Sequence, residues 1–544
     1  MAPNYDAILI GSGMGSLTVA SLLATLRGKR VLVVERHFKP GGFTHAFQRG
    51  RFHWDVGLHY VGQMGEGTPT RRLFDLITGG AVRWTKMPDP FETFVYPGLE
   101  FAVRSGVERY TADLIERFPE EERAIRNYFG DLRRAAAAWG MSLTARAGGM
   151  VGAASRCGMW FRKPDFELTT GTYLDAHFRS PALKALLSSQ WGDYGLPPSQ
   201  SPFGLHALIA THYFDGGYYP VGGAGAIASG AQQRIEAAGG RILVNRTVTE
   251  IVIDGGRAVG VRTQKTQPDH GGQFEEFRAP VVISGAGAAA TYLRMIPASY
   301  PVPFRDSLRR FVTDCEPPSC VTLYVGFRRD PRDLGFRGGN VWIYSSFDHD
   351  DLAARARSAR ERFEPGMAYL SFPSLKDPRA QAHTAEIITM ASYATFARWA
   401  NQPWLRRDTD YRSLKQSISG ALLDFVEQRF PGFKERVEYC ELSTPLSNES
   451  MTGHVKGSIY GLPVAPERFL PENAGWTSPR SPLPGLFLTG ADVSSAGIMG
   501  AIIGGLITLS VIPGGVGIGQ AFRAALSGNH SYRAPIEPRR AKVA

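Results

Sequence analysis

Cysteine is scarce in this chain: four in 544 residues, at positions 157, 315, 320 and 440. That is too few for a disulfide framework, and a reducing compartment is the expected setting. The Cys315/Cys320 pair has neither a second pair nor a histidine cluster to complete a zinc site. The twelve histidines include no HExxH spacing, and no Gly-x-Ser-x-Gly elbow is present. Metal-dependent and hydrolytic chemistry are both disfavoured, and no metal is expected. Helix-turn-helix, zinc-finger and RNA-binding signatures are missing too. A net charge of +11 attracts phosphates, nucleic acid or anionic lipid without choosing among them, so nucleic acid is not an expected partner. No basic-then-apolar leader precedes the first apolar stretch, which argues for a cytoplasmic setting. One uncharged run, Val493 to Phe522, is long enough to span a membrane. Its glycines at 497, 500, 504 and 505, and the break at Pro513-Gly514-Gly515, read better as a buried, close-packed helix. Internal repeats are absent.

Glycine, by contrast, is plentiful at 62 residues and concentrated in motifs. The first of these carries the most information. Asn4 to Ile10 reads as an apolar strand, followed by Gly11-Ser12-Gly13-Met14-Gly15-Ser16. A helical stretch, Leu17 to Leu26, leads to a second strand, Arg30 to Val34, that ends on Glu35. A strand, a glycine turn, a helix and an acid-ended strand form the geometry that binds a dinucleotide. Gly11 permits the tight turn, Gly13 lets backbone approach a pyrophosphate, and the helix start offers unpaired N–H groups to its charge. Ser16 is small enough for close helix–strand packing where a third glycine is usual. Glu35 falls where a carboxylate accepts hydrogen bonds from ribose hydroxyls.

Further pieces lie downstream. Arg241 to Val244 and Thr247 to Ile253 read as strands, Gly255-Gly256 as a turn, and Ala258 to Thr263 as a returning strand. Ala279 to Ala286 reads as a buried strand running into a loop, and Gly485 to Asp492 as a strand ending on a glycine and an acid. The length exceeds one ordinary core. The expected fold is α/β: a discontinuous Rossmann-type domain (1–75, 215–300 and 480–525) with an inserted α+β substrate domain (76–214 and 301–479). A Pro- and Arg-rich tail, 526–544, is expected to be disordered.

Strand-GSGMGS-helix-strand-ER, the later Gly41-Gly42 and the LFLTGADVSSAGIMGAIIGG segment resemble the flavin-dependent amine oxidase and phytoene desaturase superfamily. Within it, FHWDVGLHYVG (Phe52 to Gly62) is most similar to the all-trans-retinol 13,14-reductase branch and, beside that, to the carotenoid isomerases. The resemblance runs from residue 4 to about 515, with its specific motifs confined to the flavin-binding pieces. It implies a non-covalently bound FAD. Arg36 would lie against the adenine or ribose, Gly41 and Gly42 against the pyrophosphate, and Val248 would meet the adenine by its backbone. Gly490 and Asp492 would reach the phosphate and ribityl groups. Ala491 separates them here, where many members have glycine and acid adjacent. Gly497, Ile498 and Met499 would begin a helix aimed at the flavin ring, favouring negative charge on the reduced form. Asp55 to Tyr60 would lie beside that ring, with Gly57 allowing close approach and His59 or Tyr60 orienting substrate or donating a proton. Tyr219, in a Tyr-Tyr-Pro-Val-Gly-Gly loop, would line the substrate channel. Gly457 to Gly461, after Thr444-Pro445, resembles a late motif near the ring.

The resemblance implies an oxidoreductase that saturates a carbon–carbon double bond of a hydrophobic polyene or isoprenoid. Desaturation or isomerisation on the same fold is the alternative, since each needs the same hydride-handling ring. GDP-dissociation inhibitors and Rab escort proteins share the fold as binding proteins without redox activity. The intact glycine loop, Glu35 and GADVSS argue for a working flavin site. With no separate nicotinamide-binding domain in the sequence, the electron donor is expected to be a partner protein or a briefly bound nicotinamide. Met141 to Pro164 mixes Arg146, Arg156, Arg162 and Lys163 with Met150, Val151, Met159, Trp160 and Phe161 and has no acid. That mixture suits peripheral contact with the anionic inner face of a membrane.

Overall fold

The computed structural model describes residues 5–266, 274–358 and 363–528. Its organising element is a five-stranded sheet of β1 (Ala7–Ile10), β2 (Val31–Val34), β3 (Arg241–Leu243), β4 (Val282–Ser284) and β5 (Leu486–Leu488). The order is β3-β2-β1-β4-β5, and every pairing is parallel. Four of these strands are buried along their whole length, so they read as continuous apolar runs rather than alternating ones. The α/β, Rossmann-type expectation therefore holds. The sequence starts the first strand at Asn4, which lies outside the described residues.

Five helices position the site: α1 (Met14–Arg27), α2 (Glu122–Thr144), α3 (Gly149–Phe161), α4 (Gly497–Val511) and α5 (Ile518–Leu526). The uncharged run after Val493 is α4, a break, and α5; among the described residues no helix is long and apolar enough to cross a membrane. Its glycines mark contacts. A Cβ on Gly504 would sit 2.1 Å from the Gly490 carbonyl oxygen, and one on Gly505 2.8 Å from that of Gly15. Small residues thus let α4 lie against α1 and the loop after β5. The expected tail falls outside the described residues beyond Gly528, and Leu526 closes α5.

The strands expected at 241–244, 247–253 and 258–263 are all present, and Arg241–Leu243 belongs to the parallel sheet. A neighbouring meander pairs Arg246–Asp254, Arg257–Lys265 and Glu275–Arg278, the last a strand too polar to signal itself in sequence.

A seven-stranded sheet forms the second body. Its order is Val437–Ser443, Cys320–Phe327, His383–Met390, Met367–Ser371, Asn340–Tyr344, Glu92–Tyr96 and Leu99–Val103. Alternation splits its residues between two faces. Val321, Leu323, Val325, Leu370 and Ile387 pack with Ile418, Leu422 and Val426 of helix Thr409–Glu427. Thr322, Tyr324, Trp342, Tyr369 and Ile388 face the other way and floor a cavity.

The segment 141–164 is the end of α2 followed by α3. Arg146 turns inward, against expectation: its guanidinium donates to Thr477 Oγ1 (2.8 Å) and the Val493 carbonyl (3.2 Å). Burial lowers its pKa to about 10. Met150, Trp160 and Phe161 are 83%, 90% and 85% exposed. Ala153, Ala154 and Cys157 are exposed between them, and Arg156, Arg162 and Lys163 flank them.

Candidate functional site

The glycine turn after β1 opens a cavity of about 370 Å³. Gly11 has φ +82°, a left-handed conformation that favours glycine. Gly13 starts α1 without a side-chain cap, leaving the first-turn N–H groups to face the cavity it lines. Gly15 has a packing role, since a Cβ there would lie 2.4 Å from Gly490 Cα. Ser16 abuts β4's end in the same way, its Oγ 2.1 Å from where a Gly285 Cβ would be.

Glu35 sits at the end of β2, 5% exposed. Its Oε2 accepts from Ser12 N (2.7 Å) and Ser12 Oγ (2.6 Å), and its Oε1 from His37 N (2.7 Å). Ser12 Oγ in turn accepts from Gly41 N at 2.9 Å, and a Gly42 Cβ would lie 3.2 Å from Gly13 Cα. One carboxylate therefore gathers the two glycine loops. Arg36, whose pKa burial lowers, and Val248 line the adjoining wall. Gly490, Asp492, Gly497 and Ile498 line the far wall. Met499 does not line the cavity; it packs half-buried on the core one position further around α4.

Asp492 is a tie more than a free ligand. Its Oδ2 accepts from Ala288 N (2.7 Å) and its Oδ1 from Leu462 N (2.8 Å). Buried Arg468, which sequence reasoning missed, donates to the carbonyls of Leu462 (2.8 Å), Ala491 (2.6 Å) and Asp492 (3.1 Å). A Cβ on Gly461 would meet Asp492 Oδ1 at 2.3 Å, which is why the late motif needs glycine there.

Three buried polar atoms on residues lining this cavity, Ser16 Oγ, Arg36 Nε and Thr489 Oγ1, have no protein partner among the described residues. Such orphans are uncommon inside proteins. Together with the uncapped helix start and the oriented Glu35, they fit a phosphate- and ribose-bearing dinucleotide.

A second cavity, about 90 Å³, adjoins the first; Phe43, Gly57, Ile459 and Tyr460 line both. The close neighbour of Gly57 is Phe43, whose Cβ would lie 2.9 Å from an added one. His59 lines this cavity. Its Nδ1 is 2.8 Å from Oε2 of fully buried Glu386, whose Oε1 accepts from Asp55 N at 2.9 Å. Lys376 Nζ donates to the His59 carbonyl (3.0 Å), Asn340 Oδ1 (2.5 Å) and Ser371 Oγ (3.0 Å). Burial, reinforced by the charge of Glu386, pushes Asp55 up to about 7. Burial alone pushes Glu92 up to about 7 and lowers Lys376 to about 8.

Tyr60 and Tyr219 line neither cavity. Tyr219 is 1% exposed, its hydroxyl clamped on Asp55 beneath the site rather than in a channel. Tyr60 is 6% exposed, stacked on Tyr213 with its hydroxyl donating to Asp193 Oδ2 at 2.8 Å. Sequence reasoning missed Asp193, Glu386, Lys376 and Glu92. The available signal was a single acid inside the strand HTAEIITM, since a buried carboxylate in an apolar strand is unusual.

A parallel sheet that gathers two glycine loops, an acid and a helix start around one elongated cavity is the site of a dinucleotide-binding oxidoreductase of the flavoenzyme fold. Residues 9–76 match the model of an NAD(P)-binding Rossmann-like domain. The chain is 32% identical over 531 residues to the all-trans-retinol 13,14-reductase of Danio rerio, covering 94% of this chain and 86% of that one. Prolycopene isomerase 2, a chloroplastic protein of an Oncidium hybrid cultivar, is 23% identical over 475 residues, covering 85% and 76%. Cyclohexylamine oxidase from Brevibacterium oxydans shares the fold, with TM-score 0.58 at 16% identity over 96% and 99% of the two chains. The chain belongs to the all-trans-retinol 13,14-reductase family of the FAD oxidoreductase superfamily.

Proposed function

We propose that this protein binds FAD and saturates a carbon–carbon double bond of a hydrophobic polyene, retinol or a related isoprenoid. The observation that carries the reading is the meeting of two cavities at Phe43, Gly57, Ile459 and Tyr460. One is built for phosphates and ribose; the other is floored by aromatic and aliphatic side chains. Reduced FAD, when bound, supplies a hydride. Glu35 would hold the ribose hydroxyls, the α1 start the pyrophosphate, and Gly490 with the Gly497 end of α4 the flavin end. His59, fixed by Glu386, would orient the polyene, and Tyr60 and Tyr219 support the wall behind it. At about 90 Å³ the second cavity is far smaller than the few hundred Å³ usual for a ligand-sized site, so a polyene enters only as the lining side chains give way. Met367 and Met390 are the adaptable ones.

The test is anaerobic: photoreduce the FAD-loaded enzyme, add all-trans-retinol and weigh the product. A gain of two hydrogens with flavin reoxidation supports the saturase. An unchanged mass with altered retention favours isomerisation, which the prolycopene isomerase relative makes the second reading. Protein that stays colourless after FAD addition favours the binding-protein alternative.

The outward face of α3 supports peripheral contact on the cytoplasmic side of a membrane. Met150, Trp160 and Phe161 would enter the lipid while Arg156, Arg162 and Lys163 meet anionic headgroups. Vesicles rich in phosphatidylserine should co-sediment the protein and W160S/F161S should release it; equal binding of both proteins discards the contact.

A further inference from the structure

Saturating a double bond requires a proton as well as a hydride. Resting on the saturase reading, we propose that the carboxyl of Asp193 delivers that proton to the polyene.

Asp193 closes the turn Ser189–Asp193 and lines the second cavity beside Gly192. The turn is held from several sides. A Cβ on Gly192 would lie 2.8 Å from the Trp342 ring, and the Gly192 carbonyl accepts from Tyr460 at 3.0 Å. Tyr60 donates to Asp193 Oδ2 at 2.8 Å, and its ring stacks on Tyr213 with centroids 4.2 Å apart. Gln190 Nε2 reaches both the Tyr60 hydroxyl (3.4 Å) and Glu92 Oε2 (2.8 Å), linking buried Glu92 to half-buried Asp193. The ionisable neighbours are Glu92, Tyr60, Tyr194, Tyr213, Tyr344, Tyr369 and Tyr460, none a cation. Burial first, and then the charge of Glu92, push the Asp193 carboxyl up to about 8. It therefore keeps its proton at neutral pH, as a donor must. His59, by contrast, has its Nδ1 engaged with Glu386 and serves to orient substrate.

In the step, the alkene π pair takes the proton from Asp193 at one carbon as the Asp193 O–H bond breaks. The neighbouring carbon takes the hydride supplied by reduced flavin. The alkene gains two hydrogens and two electrons, and the flavin loses two electrons. The carboxylate left behind keeps the Tyr60 O–H bond, a charge-assisted contact that stabilises it until solvent returns a proton.

The experiment uses full-length, FAD-loaded wild type, D193N and Y60F. In oxidised enzyme without polyene, infrared difference spectra should show a protonated carboxylic-acid band that D193N lacks and that titrates away near pH 8. In anaerobic turnover of all-trans-retinol, D193N should lose about 10²- to 10⁴-fold in kcat with KM and flavin spectrum unchanged. Y60F, which preserves the ring stack, should shift the alkaline limb of the kcat profile upward. If D193N destabilises the protein, Y60F decides: an unmoved limb overturns the proposal. D193N within about threefold of wild type overturns it, as does an ionised Asp193 at neutral pH. Wild type that hydrogenates no polyene while showing the band defeats the saturase reading, and the donor assignment falls with it. An active wild type with an equally active D193N defeats the donor alone.

Discussion

The two cavities meet at four residues yet are made of different material. The first is built mainly from backbone: glycine turns, an uncapped helix start and a carboxylate that spends its oxygens on Ser12 and His37. The second is built from side chains on one face of a sheet, with half-buried Asp193 in its wall and buried Glu386 and Lys376 holding His59. Backbone sites recognise a part shared by all dinucleotides. Side-chain sites recognise one substrate and supply its protons. The contrast predicts that damage to the first empties the enzyme and damage to the second leaves it loaded but slow.

Glu386→Gln tests that separation most severely. It weakens the carboxylate that holds both His59 and the Asp55 backbone in place, and turnover should fall about a hundredfold while FAD stays bound. Flavin loss here would break the distinction. Gly15→Ala probes the other side: its Cβ meets backbone at Gly490, which has no side chain to swing away. The expected cost is about 3 kcal/mol of stability, read in denaturant melts, together with weakened FAD retention. Glu35→Ala should weaken FAD binding by about ten- to a hundredfold, the worth of one or two hydrogen bonds to a charged acceptor, measured by flavin titration. Its kcat at saturating FAD should change little. His59→Ala should keep the flavin and lower kcat/KM about tenfold, mostly through KM; if it loses flavin instead, the assignment of His59 to the substrate side is wrong.

The smallest effect is on pH. Asp55 and Glu92 are raised to about 7 and Asp193 to about 8, so from the ordinary carboxylate range upward the native state holds protons the unfolded chain has lost. Stability contributed this way falls as pH rises toward 8. Below the ordinary imidazole range the effect is opposed by His45, His206 and His212, lowered to about 4, and His349, lowered to about 3, which protonate more readily once unfolded. The melting temperature should therefore decline chiefly between about pH 6.5 and pH 8, and D193N should flatten that decline. An unchanged slope in D193N would show that the other two acids account for it.

Much of the first cavity was legible before the fold was known, because its parts are local. Gly11, Gly13 and Glu35 sit within one strand-turn-helix-strand unit, and each residue type follows from the conformation its place demands. Even there, roles shifted on folding: Gly15 and Gly461 are glycines because Gly490 and Asp492 occupy the space a Cβ would need. Asp492 proved to bridge three loops, and Met499 points away from the cavity that Ile498 lines. Tyr219 was misread as a channel wall because an aromatic beside a glycine loop looks the same in sequence whether it faces a ligand or clamps a buried acid.

By itself, then, the sequence determined the dinucleotide unit, the α/β class and the family, since short-range spacing and backbone freedom are written residue by residue. Only the tertiary structure decided the substrate side. Alternation fixes which face of its strand Glu386 takes, but whether that face is exposed or buried against His59 and the Asp55 backbone depends on contacts across 327 and 331 residues of chain. The same holds for Asp193, whose proton is kept by burial and by Glu92, neither of which exists until the chain folds.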